Sequence, residues 1–242
     1  MKHALTLLMA VTALAGCSKA DDTATKAETT GNAVAAATGT GWAATVSKTP
    51  EGGFVMGNPA ATVKLIEYGA FSCSHCAEFS AASKEELKAL VGKGNLSFEF
   101  RNVMNNVIDV PAALAVRCAG PQPFFQISEQ LFADQSNWLN RTSSITPAEQ
   151  QALSTMKPLE AAAMLAQKLE LDKFVQQRGV SSEKLKACFA DEKALEELGK
   201  MSQVSQSEYK ITGTPTFILN GKTITDANTW DKLEPMLKAA GA

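Results

Sequence analysis

From Val63 onward the chain alternates between short β-forming runs and longer stretches whose apolar residues recur at helical spacing. Val63-Lys64-Leu65-Ile66-Glu67-Tyr68 is rich in β-formers and bounded by Gly69, which predicts a strand. Cys76, Phe79, Leu87, Leu90 and Val91 then fall as one helix face requires, until Gly92 and Gly94 stop the pattern. Leu96-Ser97-Phe98-Glu99-Phe100 alternates as a second strand would. The middle of the chain reads as helical. Asp109 is placed to cap a helix carrying Ala113, Leu114 and Cys118 and ending at Gly120-Pro121. Residues 123–133 are amphipathic, with Phe124, Phe125, Leu131 and Phe132 as core candidates. Thr146-Pro147-Ala148-Glu149 has the form of a capping box with proline at the first helical position. Helical patterns follow over 159–177, 182–190 and 192–209. Strands return in Thr216-Phe217-Ile218-Leu219 and Lys222-Thr223-Ile224-Thr225, joined by Asn220-Gly221, a pair suited to a type I′ hairpin turn. A closing helix carries Trp230, Leu233 and Leu237, with Pro235 predicted to kink it or delay its start.

The N-terminal part follows a different rule. Lys2 and His3, then an apolar run from Ala4 to Leu14, then Leu14-Ala15-Gly16-Cys17, have the order of a secretion signal. The cysteine straight after Leu-Ala-Gly resembles the lipobox of bacterial lipoproteins. That resemblance implies cleavage after Gly16, acylation of Cys17 and a membrane anchor. In residues 18–50, 22 of the 33 positions are Ala, Thr, Gly or Ser, too little apolar surface to offset the entropy of ordering. This predicts a flexible linker ahead of the folded part.

Composition narrows the function. With 45% hydrophobic and 20% charged residues and a formal charge of −2, the chain offers no clustered basic surface. Binding to nucleic acid through its phosphates is therefore not expected. No apolar run reaches the ~18 residues of a membrane-spanning helix. Two histidines in all, one of them in the signal, argue against a His-rich metal enzyme, and no metal is expected.

The cysteines carry the candidate chemistry. With Cys17 set aside, Cys73, Cys76, Cys118 and Cys188 remain, an even number that an oxidising compartment can keep paired. Cys73-Ser74-His75-Cys76 stands at the start of a predicted helix, where unsatisfied N–H groups and the helix dipole favour an anion. A thiol attacks as its thiolate, so this is where Cys73 would be activated, with His75 adding charge or a hydrogen bond near the sulfur. Cys76, one turn inside, is suited to resolve what Cys73 forms. A structural zinc site needs four ligands, and one C-x-x-C with one histidine falls short. Cys118 and Cys188 are left either as a structural disulfide or as two separate buried thiols. A bridge would close a loop worth about 4 kcal/mol in the chain-entropy account.

Gly57-Asn58-Pro59, the 63–68 strand, Phe71-Ser72-Cys73-Ser74-His75-Cys76 with Phe79, and Gly213-Thr214-Pro215-Thr216-Phe217 together resemble the DsbA-like thiol–disulfide oxidoreductases of the thioredoxin superfamily. The resemblance implies an α/β thioredoxin fold, formed by residues 51–103 and 207–242, with an all-helical insertion over 104–206. It implies that Cys73 is the nucleophile, that Cys76 resolves the mixed disulfide, and that Pro215 is a cis-proline packed against the pair. Thr214 would offer backbone groups to a substrate peptide. Glu67 matches a buried acid that assists proton transfer in relatives, the other reading being a solvent-facing strand charge.

No dissociable cofactor is implied. The expected partners are exported protein substrates with cysteines and a membrane redox protein, and the chain is expected to be a monomer. The expected location is the cell envelope, facing the periplasm, with Ser18 after the lipid cysteine favouring the outer membrane over the inner. The leading expectation is an oxidase that introduces disulfides. Ser74, where the most oxidising members carry proline, and Thr214, as in the isomerase and reductase branches, keep an isomerase or reductase open. A redox-inactive binding lipoprotein is the reading from another class.

Overall fold

The computed structural model describes residues 41–242, so the signal, Cys17 and the expected linker up to residue 40 lie outside the described residues. Residues 42–48, placed in the expected linker, belong to the fold. Trp42–Ala44 form a 3₁₀ turn, and β1 (Val46–Lys48) pairs antiparallel with β2 (Phe54–Gly57). Val46 is the buried residue of that short strand, and one apolar anchor in a small-residue tract leaves little periodic signal.

β3 (Val63–Gly69) runs up the middle of the sheet and leads into α1 (Ser74–Gly92), which crosses back to β4 (Leu96–Asn102). β3 and β4 pair in parallel, with Glu67 opposite Phe100. After a long run of helices, β5 (Thr216–Leu219) and β6 (Lys222–Ile224) complete a sheet of order β1-β2-β4-β3-β5-β6. Asn220 and Gly221 both have positive φ, 48° and 81°, as the type I′ turn demands. Asn220 also pairs its backbone N–H and side-chain oxygen with Lys64, which ties the hairpin to β3. α10 (Trp230–Ala239) contains Pro235 without delaying its start.

The alternation of β4 does not mean one wet face. All seven residues are buried, because Glu99 and Arg101 pair with each other at 2.7 Å and Arg101 also donates to the Tyr68 hydroxyl. Thr49 donates to the same Glu99 carboxylate, so both charges are satisfied where they are desolvated. Polar letters on that face describe a partnered cluster.

The helices between β4 and β5 are α2 (Asp109–Cys118), α3 (Phe124–Ala133), α4 (Gln135–Asn140), α5 (Pro147–Leu153), α6 (Pro158–Lys168), α7 (Leu171–Gln176), α8 (Ser182–Cys188) and α9 (Glu192–Ser207). All but α5 share one buried cluster with the sheet, and Phe124 of α3 stacks on Phe54 of β2 at 4.1 Å. The predicted capping box of α5 forms between Thr146 and Glu149. The single helix predicted over 159–177 is two, because Glu170 sits at φ 56° and turns the chain between α6 and α7. A left-handed residue that is neither Gly nor Asn carries no letter by which to foresee it. α4 also escaped prediction, being a single short helix that follows α3 after one residue. Cys118 and Cys188, at the C-terminal ends of α2 and α8, are joined in a disulfide with their Cα atoms 5.8 Å apart.

Candidate active site

The connection from β3 to α1 is a tight turn in which the Cys73 N–H donates to the Ala70 carbonyl at 3.1 Å. Cys73 is the N-cap of α1, with extended backbone (φ −79°, ψ 118°), and its sulfur accepts from the Cys76 N–H at 3.4 Å. No acidic residue stands in the first helical turn to oppose a negative sulfur. Cys76 is fully buried behind it, whereas Cys73 is partly exposed; both are free thiols.

The Thr214–Pro215 peptide bond is cis, as the resemblance implied, and it brings the start of β5 against Cys73. The Cys73 thiol reaches the Thr214 carbonyl oxygen at 3.1 Å. Hydrogen bonds from the Cys76 and Thr214 side chains, and from the backbone N–H groups of Cys76 and His75, outweigh the desolvation of the sulfur and lower the Cys73 thiol to about 5. Burial drives the Cys76 thiol the other way, far above the ordinary range, with the neighbouring Cys73 and Glu67 adding to it. Two thiols three residues apart are thus split by environment into an exposed anion and a buried acid.

Glu67 takes the buried position of its two readings. It lies on β3 between Phe100 and Phe217 in the sheet register and is 3% exposed, and its Oε1 has no hydrogen-bond partner. Desolvation first, and the charge of Cys73 second, raise its carboxyl to about 8. It is therefore mostly protonated at neutral pH. A small cavity beside it is lined by Phe79, Ser83, Lys88, Phe100 and Phe132.

His75 meets the sulfur through charge and not through a side-chain hydrogen bond. Its imidazole is exposed and pairs through Nδ1 with Glu78 at 3.0 Å, which raises its pKa. Its backbone N–H serves the Cys73 sulfur, and its imidazole is coupled to the sulfur by charge without a hydrogen bond to it. An imidazole at the second helical position points outward along the helix surface, and a carboxylate one turn on is its natural partner.

The sequence reading missed the residues that hold the turn. Asp109, read as a cap for its own helix, is the first residue of α2 and follows Ile108 at the N-cap. Its carboxylate reaches back to Ser72, accepting the backbone N–H at 2.8 Å and the hydroxyl at 2.9 Å. Gln135 of α4 donates to the carbonyls of Phe71 and Cys73 at 2.8 and 2.9 Å. Asn105 donates to the Thr214 hydroxyl and Asn106 to the Ser72 hydroxyl. These partners lie 34 to 109 residues apart in the chain, beyond the reach of any periodicity.

A cysteine capping the helix behind the central strand, with a cis-proline strand closing over it, is the arrangement of a dithiol protein of the thioredoxin fold, here with helices inserted ahead of the proline. The chain belongs to the thioredoxin family, whose sequence profile matches residues 48–239. Among solved structures, a protein-disulfide isomerase from Novosphingobium aromaticivorans is 26% identical and superposes with a TM-score of 0.72, covering 78% of this chain and 97% of that one. The α-DsbA1 protein of Wolbachia pipientis has the same fold at 16% identity and a TM-score of 0.59, covering 77% and 89%. A Rickettsia bellii protein assigned by name to the protein-disulfide oxidoreductases is 24% identical over 176 residues, which are 72% of this chain and 59% of the relative. The chain spans 54–59% of the length of the curated relatives it matches.

Proposed function

We propose that this protein is a thiol–disulfide oxidoreductase that introduces disulfides into exported proteins. The observation that carries the reading is the opposite displacement of the two thiols, Cys73 down to about 5 and Cys76 up. In the oxidised enzyme a substrate thiolate attacks Cys73 Sγ. The Cys73–Cys76 bond breaks, and its electron pair leaves on the Cys76 sulfur. That sulfur is buried and must take a proton, and protonated Glu67 is the buried acid beside it. A second substrate thiolate then attacks the substrate sulfur of the mixed disulfide. Cys73 departs as a thiolate stabilised by the Cys76 thiol, the Thr214 side chain and the N–H groups of Cys76 and His75. Two electrons have passed from substrate to enzyme, and the substrate carries the new disulfide. A leaving thiol of low pKa favours this direction and makes the enzyme disulfide the stronger oxidant. The backbone at Thr214, beside Pro215 and the sulfur, is where an extended substrate segment would align.

The resemblance to the Novosphingobium isomerase favours a second reading, in which the same pair reshuffles disulfides. The reduction potential separates them. Equilibration with glutathione should give a value near about −120 mV for an oxidase, and one near or below about −200 mV makes it an isomerase or reductase. Absence of any exchange would leave a redox-inactive binding protein.

The Leu-Ala-Gly-Cys pattern supports lipid attachment at Cys17 and a periplasm-facing place in the cell envelope, the outer membrane favoured by Ser18. A membrane redox protein would restore the disulfide after each turnover. No described helix is long and apolar enough to cross a membrane. Cys17→Ser should move the protein from the membrane to the soluble fraction; retention in the membrane would remove the lipid anchor from the reading.

A further inference from the structure

The turn that presents Cys73 is gripped from both chemical sides by the inserted helices. Asp109 is fully buried, and its carboxylate takes four donors: the N–H and hydroxyl of Ser72, and the N–H groups of Asn105 and Asn106 at 3.1 Å each. Gln135, also buried, spends its Nε2 donors on the carbonyls of Phe71 and Cys73. One residue therefore catches the N–H side of the turn and the other its carbonyl side. The loop between β4 and α2 joins the two halves of the site as well. Asn106 donates to Ser72, just before Cys73, and Asn105 donates to Thr214, just before Pro215.

This grip bears on the chemistry because the N–H contacts at the sulfur depend on how the turn is held. The Cys76 N–H stands 3.4 Å from Cys73 Sγ, and a rotation of the turn would turn the sulfur away from it. Within the turn the backbone makes the single Cys73-to-Ala70 bond, and Phe71 anchors it through its ring, so the hydrogen bonds to the Ser72 N–H and the Phe71 carbonyl come from outside. Hydrogen bonds to a charged acceptor are the stronger kind, and a buried donor left without one is costly, so Asp109 holds Ser72 firmly.

We propose that Asp109 and Gln135 are positioning residues that keep the Phe71–Cys73 backbone where the first N–H groups of α1 point at the Cys73 sulfur. The helical insertion thereby sets the reactivity of a cysteine it does not contain. The proposal rests on the reading of Cys73 as the nucleophile, and it makes the insertion part of the thiol's activation as well as a cover for the sheet.

A charge effect and a positioning effect predict opposite signs for Asp109. As a bare negative charge near the sulfur, Asp109 would disfavour the thiolate, and its removal would ease ionisation. As a positioning group, its removal lets the turn relax and makes ionisation harder. The test uses the reduced full-length protein and the variants Asp109→Asn and Gln135→Met, the latter keeping the length of the side chain without its donors. The rate of Cys73 alkylation by iodoacetamide is followed against pH, and folding is checked by thermal unfolding. The midpoint should rise by about one pH unit or more in Gln135→Met and in Asp109→Asn. The glutathione equilibrium constant of the pair should move about tenfold toward a weaker oxidant, one pH unit being a tenfold change. Folded variants with the wild-type midpoint would reduce both residues to structural supports and overturn the proposal. A lowered midpoint in Asp109→Asn would overturn it for Asp109. If Asp109→Asn does not fold, Gln135→Met decides. A wild-type protein whose Cys73 titrates like an ordinary thiol would overturn the proposed function itself, and this inference with it. A depressed wild-type midpoint that the variants share sinks only the inference.

Discussion

At the scale of single residues, the site is built by giving like groups unlike surroundings. Glu67 illustrates the cost. Its carboxyl is raised to about 8 by burial, so above the ordinary carboxylate pKa the folded state must either hold a proton or carry an unpartnered charge. The native state then binds more protons than the unfolded state, and stability falls as pH rises from about 4.5 to about 8. Glu67→Gln should therefore stabilise the protein at pH 7 by on the order of 1–3 kcal/mol, with the gain vanishing toward pH 4. The same variant should slow thiol exchange, because the buried proton source for Cys76 is gone. Urea unfolding at the two pH values checks the first effect, and stopped-flow exchange with a small dithiol checks the second. A gain independent of pH would show that Glu67 is not titrating where its burial places it. Cys73 and Cys76 could be seen in the sequence because the chemistry dictates their letters, and Thr214-Pro215 because its motif resembles that of a known family. Asp109 and Gln135 could not, because an acid and an amide that hold another segment's backbone look like any others.

At the scale of elements, periodicity reported packing faithfully and geometry poorly. The strands 63–68 and 96–100, the α1 face and the Asn220-Gly221 hairpin were legible because each has a local cause: β-branching, helical spacing, or a turn that demands positive φ. The 159–177 stretch was misread because its two helices keep one apolar face while Glu170 breaks the backbone between them. β4 was legible as a strand, but its burial on both faces was not, since pairing of Glu99 with Arg101 is a property of the neighbours. The disulfide belongs to this scale too, joining the ends of α2 and α8 across 70 residues of sequence. Replacing Cys118 and Cys188 together by Ala should lower stability by about 4 kcal/mol or less, and leave the exchange rate of Cys73 within about twofold. Denaturant unfolding and an exchange assay on the same preparation test this. Loss of exchange in a folded variant would mean that α2 and α8 reach the active site through more than the backbone grip of Asp109.

For the whole molecule, the low pKa of Cys73 links redox state to stability. Only the reduced protein has a thiol to titrate at this position, and its folded pKa of about 5 lies below the ordinary thiol value. Stability from the thiolate is fully present above the unfolded-state pKa of about 8.5 and is lost as pH falls through about 5. The thermal midpoint of the reduced protein, measured against that of its Cys73–Cys76 disulfide form, should therefore climb as pH rises from 5 toward 8, before ionisation of Cys76 in the unfolded chain begins to oppose it. Burial of Glu67 acts on both forms and largely cancels in that comparison. A difference that stays flat with pH would mean that the N–H groups of α1 do not hold the sulfur as an anion.

The packing of Trp42 separates the start of the described chain from the reactive sulfur. Its ring lies against Gly94, where a side chain would collide with it at 2.9 Å and where φ of 90° already calls for glycine. Gly94 follows the C-terminal end of α1, and Cys73 caps its N-terminal end, so the helix stands between them. Its 19 residues at ~1.5 Å each put Trp42 and the reactive sulfur some ~28 Å apart, at opposite poles. The first described residues are therefore folded a full helix length from the sulfur, and chemistry at Cys73 leaves their packing untouched.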